Sequence, residues 1–245
     1  MKMTLTGLLL FVLGLNAEEY YRAHIYVSTP MAWIQANSYC RTYYTDMSTI
    51  TSQEEHQKLV AAAGGTFSEA WIGLYRPAAN PKILIWSNRE SYNFTKLKNN
   101  DSGFSCVYAT ELEWYMDYCK TELPFFCHFN YELRLISMNM TWEDALDYCR
   151  YWFTDLASAT DQYQLEILQN NSEASTTEGV WTGLRFLAGE WHWVSKTFRH
   201  IPYQGSLPSC PEEPYRCGAL NNRTAQWEMR DCEERLDFMC YKVKL

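Results

Sequence analysis

Apolar residues recur along this chain in short blocks whose period changes from strand-like to helical and back, and the blocks come twice in the same order. Residues 20–27 (Tyr-Tyr-Arg-Ala-His-Ile-Tyr-Val) are rich in aromatic and β-branched side chains and predict a first strand. Pro30 then opens a predicted helix, with Met31, Ile34, Tyr39 and Cys40 at roughly helical spacing. Ser52-Gln-Glu-Glu55 has the form of a capping box, so a second helix is expected to continue through His56 to Ala63, stopped by Gly64-Gly65. From Trp71 strands and turns take over: residues 71–74, residues 83–86, a polar loop over 87–103, then short strands near Cys106 and Phe125. The order then repeats. A strand is predicted over 131–136, and Thr141-Trp-Glu-Asp144 caps a helix carrying Ala145, Leu146, Tyr148 and Cys149. A second helix holds Leu165, Ile167 and Leu168. Strands at 181–184 and 191–193, a Pro-rich loop over 202–214 and closing strands complete the series.

The two series end alike. Trp114, Cys119 and Cys127 are separated by five and eight residues, and so are Trp227, Cys232 and Cys240. Trp142 and Cys149 each lie 109 residues after Trp33 and Cys40, Trp181 lies 110 after Trp71, and Cys240 lies 113 after Cys127. A small drift in one direction is what loop insertions between two copies of one fold produce. The expected organisation is a domain over 18–128 and a second over 129–245, meeting at about 128–131 with almost no linker.

Composition narrows the setting. Of 245 residues, 47% are hydrophobic, ample for a core, and nine are Cys, the usage of a disulfide-stapled extracellular chain. Lys2, the apolar run 8–15 and Asn16-Ala17 before Glu18-Glu19 have the form of a signal peptide, so residues 1–17 are expected to be removed. That run is too short for a membrane span, no other apolar run of about 18 residues follows, and the last residues form no lipid-anchor tail. The expectation is a secreted protein without a membrane anchor. Five sequons, at Asn93, Asn100, Asn139, Asn170 and Asn222, suit a glycoprotein. A net charge of −8, with no basic run beyond scattered pairs, argues against nucleic acid or heparin as a partner.

The recurring boxes resemble the C-type lectin-like domain, twice. In the first copy the resemblance rests on Trp33, Ala36, Tyr39-Cys40-Arg41, Asp46, Trp71-Ile-Gly-Leu74, Trp86, Cys106, Trp114, Cys119 and Cys127. In the second it rests on Trp142, Ala145, Tyr148-Cys149-Arg150, Asp155-Leu156, Trp181-Thr-Gly-Leu184, Trp193, Cys217, Trp227, Cys232 and Cys240. The arrangement is similar to tandem domains of mannose-receptor-like proteins. The resemblance implies an α+β fold for each copy, two helices flanking small antiparallel sheets with a long loop. It also implies disulfides Cys40–Cys127, Cys106–Cys119, Cys149–Cys240 and Cys217–Cys232, where spacing alone leaves three connectivities for each set of four. Cys210 is left over, either as a loop thiol able to exchange with Cys217 or as the donor of an intermolecular bridge making a dimer.

Sugar-binding members of that family hold calcium with Glu-Pro-Asn or Gln-Pro-Asp in the long loop and Asn-Asp directly after the late Trp. Calcium takes about six to eight hard oxygen ligands. The first copy has Tyr115-Met116 after its Trp, and a thioether is a poor calcium ligand. Asp117 falls one position late, so it is expected to face the other way. The second copy keeps Glu228 but follows it with Met229. Its loop has Glu213-Pro214 with Tyr215 in the Asn position. Glu213 and Glu228 are thus the only calcium or sugar candidates, and no cofactor, calcium included, is expected.

Catalytic signals are lacking: the five His show no metal spacing, and no phosphate loop or nucleophile box appears. Glu54-Glu55, Glu212-Glu213 and Glu233-Glu234 are expected to be solvated charge, and His192 a surface imidazole. The loop aromatics Tyr92, Phe94, Tyr203 and Tyr215 are either partner-contact anchors or packed on their own domain. The expectation is a non-catalytic secreted protein that recognises a protein or glycan through loop surfaces. The alternatives are a calcium-dependent lectin working through the second copy, and an ice- or mineral-binding structural protein.

Overall fold

A computed structural model of the protein describes residues 20–98, 103–195 and 207–244. The predicted leader, Asn100, His200 and Tyr203 lie outside the described residues. Strand β1 (Tyr21–Met31) leads into α1 (Trp33–Tyr43), β2 (Asp46–Met47) and α2 (Gln53–Ala62). Then come β3 (Ala70–Tyr75), β4 (Ile85–Trp86), β5 (Cys106–Ala109) and β6 (Trp114–Asp117). Pro30 does not open the helix: it lies near the end of β1, where the ladder slips between Val27 and Met31 and no N–H is required. The helix starts at Trp33, whose N–H donates to Cys119 O at 2.9 Å. Ser52 does cap α2, accepting the Glu55 N–H at 3.1 Å, and Gly64 and Gly65 take the positive φ that ends it.

Strand β7 (Leu123–Met140) is 18 residues long and merges what the sequence pattern divides into two strands. It is followed by α3 (Trp142–Trp152), β8 (Asp155–Leu156), α4 (Gln162–Ser172), β9 (Gly179–Leu187) and β10 (Glu190–Trp193), then β11 (Cys217–Asn221), β12 (Trp227–Arg230) and β13 (Leu236–Lys244). Strand β1 pairs antiparallel with the first half of β7, from Tyr21↔Tyr131 to Val27↔Phe125. Strand β13 pairs with the second half, from Lys244↔Asn130 to Leu236↔Met140. The expected small antiparallel sheets are accordingly joined through β7 into one hydrogen-bonded network of 13 strands, with parallel contacts where β3 meets β7 and β9 meets β13.

The same side chains do the same work on both sides of β7. The Trp33 indole donates to Ile72 O at 2.9 Å and that of Trp142 to Thr182 O at 2.8 Å. Trp71 and Trp181 likewise donate to Met31 O and Met140 O, at 3.1 and 3.0 Å. Arg41 pairs with buried Asp46 at 3.1 Å and Arg150 with buried Asp155 at 3.2 Å. Gly73 is required by close approach, since a Cβ there would stand 2.7 Å from Ser87 Oγ and 3.2 Å from Met47 O. Disulfides join Cys40 to Cys127 and Cys149 to Cys240 across 87 and 91 residues, and Cys106 to Cys119 and Cys217 to Cys232 across 13 and 15. In the chain-entropy view the longer pairs constrain the unfolded chain most, at about 3–5 kcal/mol each.

One hydrophobic cluster spans the two halves. Ala23 and Phe129 pack with Tyr131, Ile167, Leu168, Val180, Met239 and Tyr241. At its margin, Lys58 of α2 sits 3.4 Å over the Tyr163 ring of α4, and Asn171 Nδ2 donates to the Tyr21 hydroxyl at 3.0 Å. With a strand and a core in common, the halves are expected to unfold in a single calorimetric transition. Phe129→Ala, which opens a cavity in that cluster, is expected to remove about 3–5 kcal/mol from both halves together. Two separated transitions, one left unmoved by the substitution, would contradict this.

Candidate functional site

The two positions after each late Trp are where calcium ligands are sought, and the halves fill them differently. In β6, Trp114 is buried, its indole donating to His56 Nδ1 at 3.2 Å while His56 Nε2 donates to Glu111 O at 2.9 Å. Tyr115 stacks on Tyr108, ring centroids 5.6 Å apart, and donates its hydroxyl to Glu113. Met116 is buried, with Sδ 3.7 Å from Arg76 Nη2. Asp117 lies on the Tyr115 side and accepts the Tyr118 N–H at 2.6 Å. The loop after β4 folds inward: Tyr92 meets Trp86 edge-on at 6.4 Å and Phe94 meets Trp114 at 5.7 Å. These two loop aromatics anchor the loop to its own half.

In β12, half-buried Trp227 packs edge-on against Trp193 at 5.3 Å. Glu228 faces a guanidinium: Oε2 accepts from Arg230 Nε at 3.0 Å, and Oε1 accepts from Asn221 Nδ2 at 2.8 Å. Arg230 also reaches Glu234 at 3.3 Å. Met229 is exposed. Glu213 pairs with Arg216 at 2.7 Å, its peptide bond to Pro214 is cis, and Tyr215 is exposed. Glu213 and Glu228 therefore share no partner: each carboxylate is held by a different arginine. Among the described residues no group of three or more His, Cys, Asp or Glu converges as metal ligands do. Cys210 is an exposed free thiol. Asn93, Asn139 and Asn170 are exposed, whereas Asn222 is half-buried and donates from Nδ2 to Thr177 O at 3.0 Å. His192 is half-exposed beside Glu190 at 4.0 Å.

The model of the Lectin C-type domain family matches residues 29–129 and again 138–242. The chain belongs to the C-type lectin domain family. Among its curated relatives are the secretory phospholipase A2 receptor of Oryctolagus cuniculus, 23% identical over 92% of this chain, and the C-type mannose receptor 2 of Mus musculus, 21% identical over 85%. The aligned parts are 18% and 17% of those two relatives, so this C-type lectin chain spans under a fifth of their length. Solved C-type lectin folds that resemble it include Gallus gallus ovocleidin-17, 28% identical with a TM-score of 0.39 over 46% of this chain and 91% of that one. Human lithostathine is another, 23% identical with a TM-score of 0.41 over 46% and 92%. Among the described residues no helix of this C-type lectin is long and apolar enough to cross a membrane.

Where the two C-type lectin repeats meet, β1 and β7 bring together side chains that the sequence leaves apart. His24 pairs in register with His128. Glu54 is exposed as expected, but Glu55 is not solvated: its side chain is 13% exposed and bonded to His24 Nε2 at 3.1 Å and Lys58 Nζ at 2.9 Å, with Arg22 at 3.9 Å. Glu55 is the third residue of α2: its backbone N–H is taken by the Ser52 cap, while its carboxylate is taken by His24 of β1 and by Lys58 rather than by water. Burial in an all-protein setting opposes ionisation of Glu55, but the His24 hydrogen bond and the Lys58 cation outweigh it, holding the carboxyl at about 2. Burial lowers His24, overriding Glu55, and keeps the imidazole neutral, so its N–H donates from Nε2 and Nδ1 faces the Ser48 hydroxyl at 2.9 Å. Burial, with Arg22 nearby, takes His128 down to about 3; its Nδ1–H donates to Met47 O at 2.9 Å.

All three groups bind protons more readily in the unfolded chain, so their protonation favours unfolding. Stability is expected to be full above about pH 6.5, to fall as pH drops through the histidine range, and to fall further between about 4.5 and 2 as Glu55 protonates. Thermal melts against pH test this. His128→Gln, which keeps a donor for Met47 O but cannot titrate, is expected to flatten the slope between pH 6.5 and 3; an unchanged slope would assign it to other groups.

Proposed function

We propose that this C-type lectin chain is a secreted, non-catalytic recognition protein, with a leader at 1–17 and domains at 18–128 and 129–245. It binds a protein or a glycan through loop surfaces without calcium. The observation that carries this is the fate of the ligand positions: Met116 is buried against a guanidinium, and Glu228 is bound to Arg230. The calcium ion associated with this fold does not fit that donor set. It would need the soft Met116 or Met229 to serve as a ligand, and would have to displace arginines already bonded to Glu228 and Glu213. Two relatives are named for a phospholipase and for mannose, which is the reason to test both a protein and a sugar as ligand. Cys210 is free to bridge to a second copy; a dimer band that disappears on reduction and in Cys210→Ser reads this out.

The deciding experiment is a glycan array probed with the secreted protein in calcium and again in EDTA. Any glycan bound is expected to stay bound in EDTA, with melting temperature unmoved by millimolar calcium. EDTA-sensitive mannose or galactose binding would sink this reading and favour a calcium lectin acting through Glu213 and Glu228.

A further inference from the structure

A cleft of about 730 Å³ lies in the first repeat between the β3–β4 connection and the loop after β4. Arg76 and Lys82 line it, and no described Asp or Glu does, in a chain whose net charge is −8. Arg76 is 8% exposed and held in place: Nη1 donates to Phe104 O at 2.6 Å and Nη2 lies against Met116 Sδ. Its guanidinium is thus fixed before any ligand arrives, which removes most of the ordering cost of binding. Three hydroxyls, from Ser91, Tyr92 and Thr95, also line the cleft, with Tyr92 Oη 2.7 Å from Thr95 Oγ1. Leu84 and Leu97 supply apolar surface. At the matching position of the second repeat, five residues after Trp181 as Arg76 is after Trp71, stands Phe186 in place of a cation, packed against Trp191 at 5.5 Å.

We propose that this cleft binds an acidic saccharide, its sulfate or carboxylate on Arg76 and Lys82, its hydroxyls on Ser91, Tyr92 and Thr95, and its ring face on the leucines. A guanidinium matches the paired oxygens of both anions, hydroxyls both donate and accept as sugar hydroxyls require, and the volume suits one or two sugar units. The fixed cation does the work of charge attraction that a bound ion does elsewhere. The assignment rests on the calcium-free reading above and adds a ligand class to it.

The test is calorimetry on the full secreted protein in EDTA, with 6-sulfo-N-acetyllactosamine, its unsulfated parent and a sulfotyrosine peptide as probes. The sulfated sugar is expected to bind at least about tenfold more tightly than its parent, and to weaken with added salt. Lys82→Glu on the cleft rim is expected to abolish that preference; Arg76→Leu should do the same where it folds, and Lys242→Glu, at an exposed position near the end of β13, should not. Equal affinity for the two sugars, no binding of either, or a preference untouched by Lys82→Glu overturns the proposal and leaves the calcium-free reading standing. Binding restored only by calcium overturns both. Tighter binding of the sulfotyrosine peptide overturns the saccharide assignment. Binding seen only in Asn93→Gln would mean that the protein's own glycan covers the cleft, which overturns it for the native protein.

Discussion

The backbone hydrogen bonds of β7 are the constraint on which the rest depends. An interior strand must satisfy its N–H and C=O groups on both sides, because leaving them buried and unpaired is costly. Here one strand takes β1 along its first half and β13 along its second, and residues 130 and 131 pair with both. The last strand of one repeat and the first of the next are the same strand. The chain cannot hinge between them without breaking ladder bonds and parting Ala23 and Phe129 from Tyr241 and Met239. The long-range disulfides reinforce this, since Cys127 on β7 and Cys240 on β13 tie the first helix of each repeat to the same sheet network.

Against that fixed scaffold, the positions after the two late Trp residues differ in their chemistry. The first closes its strand position with a buried thioether and moves Arg76 beside it. The second keeps a carboxylate and neutralises it with Arg230. In both repeats a guanidinium stands against one of the two positions after the late Trp. A guanidinium is directional and permanently charged, whereas a metal ion accepts ligands from many directions and can be chelated away. The scaffold residues around these positions, Trp33, Trp71, Arg41 and Asp46 and their second-repeat counterparts, bond alike in both halves.

Most of the fold was legible in the sequence because its determinants are local or repeated. The capping box at Ser52, the helix after Thr141 and the Trp-x-Gly-Leu boxes announce themselves by spacing, and the duplication checks each against its twin. Three things were not legible. Pro30 looked like a helix start because Pro suits that position, but strand extension past a register slip suits it as well. The two strands around residue 130 looked separate because a period-2 pattern carries no signal for continuity across a repeat boundary. Glu55 and the pair His24 and His128 were scattered over a hundred residues, and only the β1–β7 register brings them together. In the candidate site, that Met116 and Met229 stand second after each late Trp could be read directly. That Glu228 is bound to Arg230, and that Arg76 reaches Met116, depends on strand pairing and loop path, which no spacing encodes.

The unbroken run of β7 also sets a length scale. At about 3.3 Å per residue its 18 residues trace a contour of roughly 60 Å, with a loop surface belonging to each repeat attached to it. Repeats on a flexible tether sample many separations, and a ligand with two epitopes meets them at a low effective concentration averaged over all of them. Repeats on a common strand present one separation and one mutual angle. A divalent ligand whose epitopes match that spacing gains avidity without an entropic loss in the connector, and one that does not match gains none. Any two sites carried on such a strand would therefore stand at one fixed distance from each other.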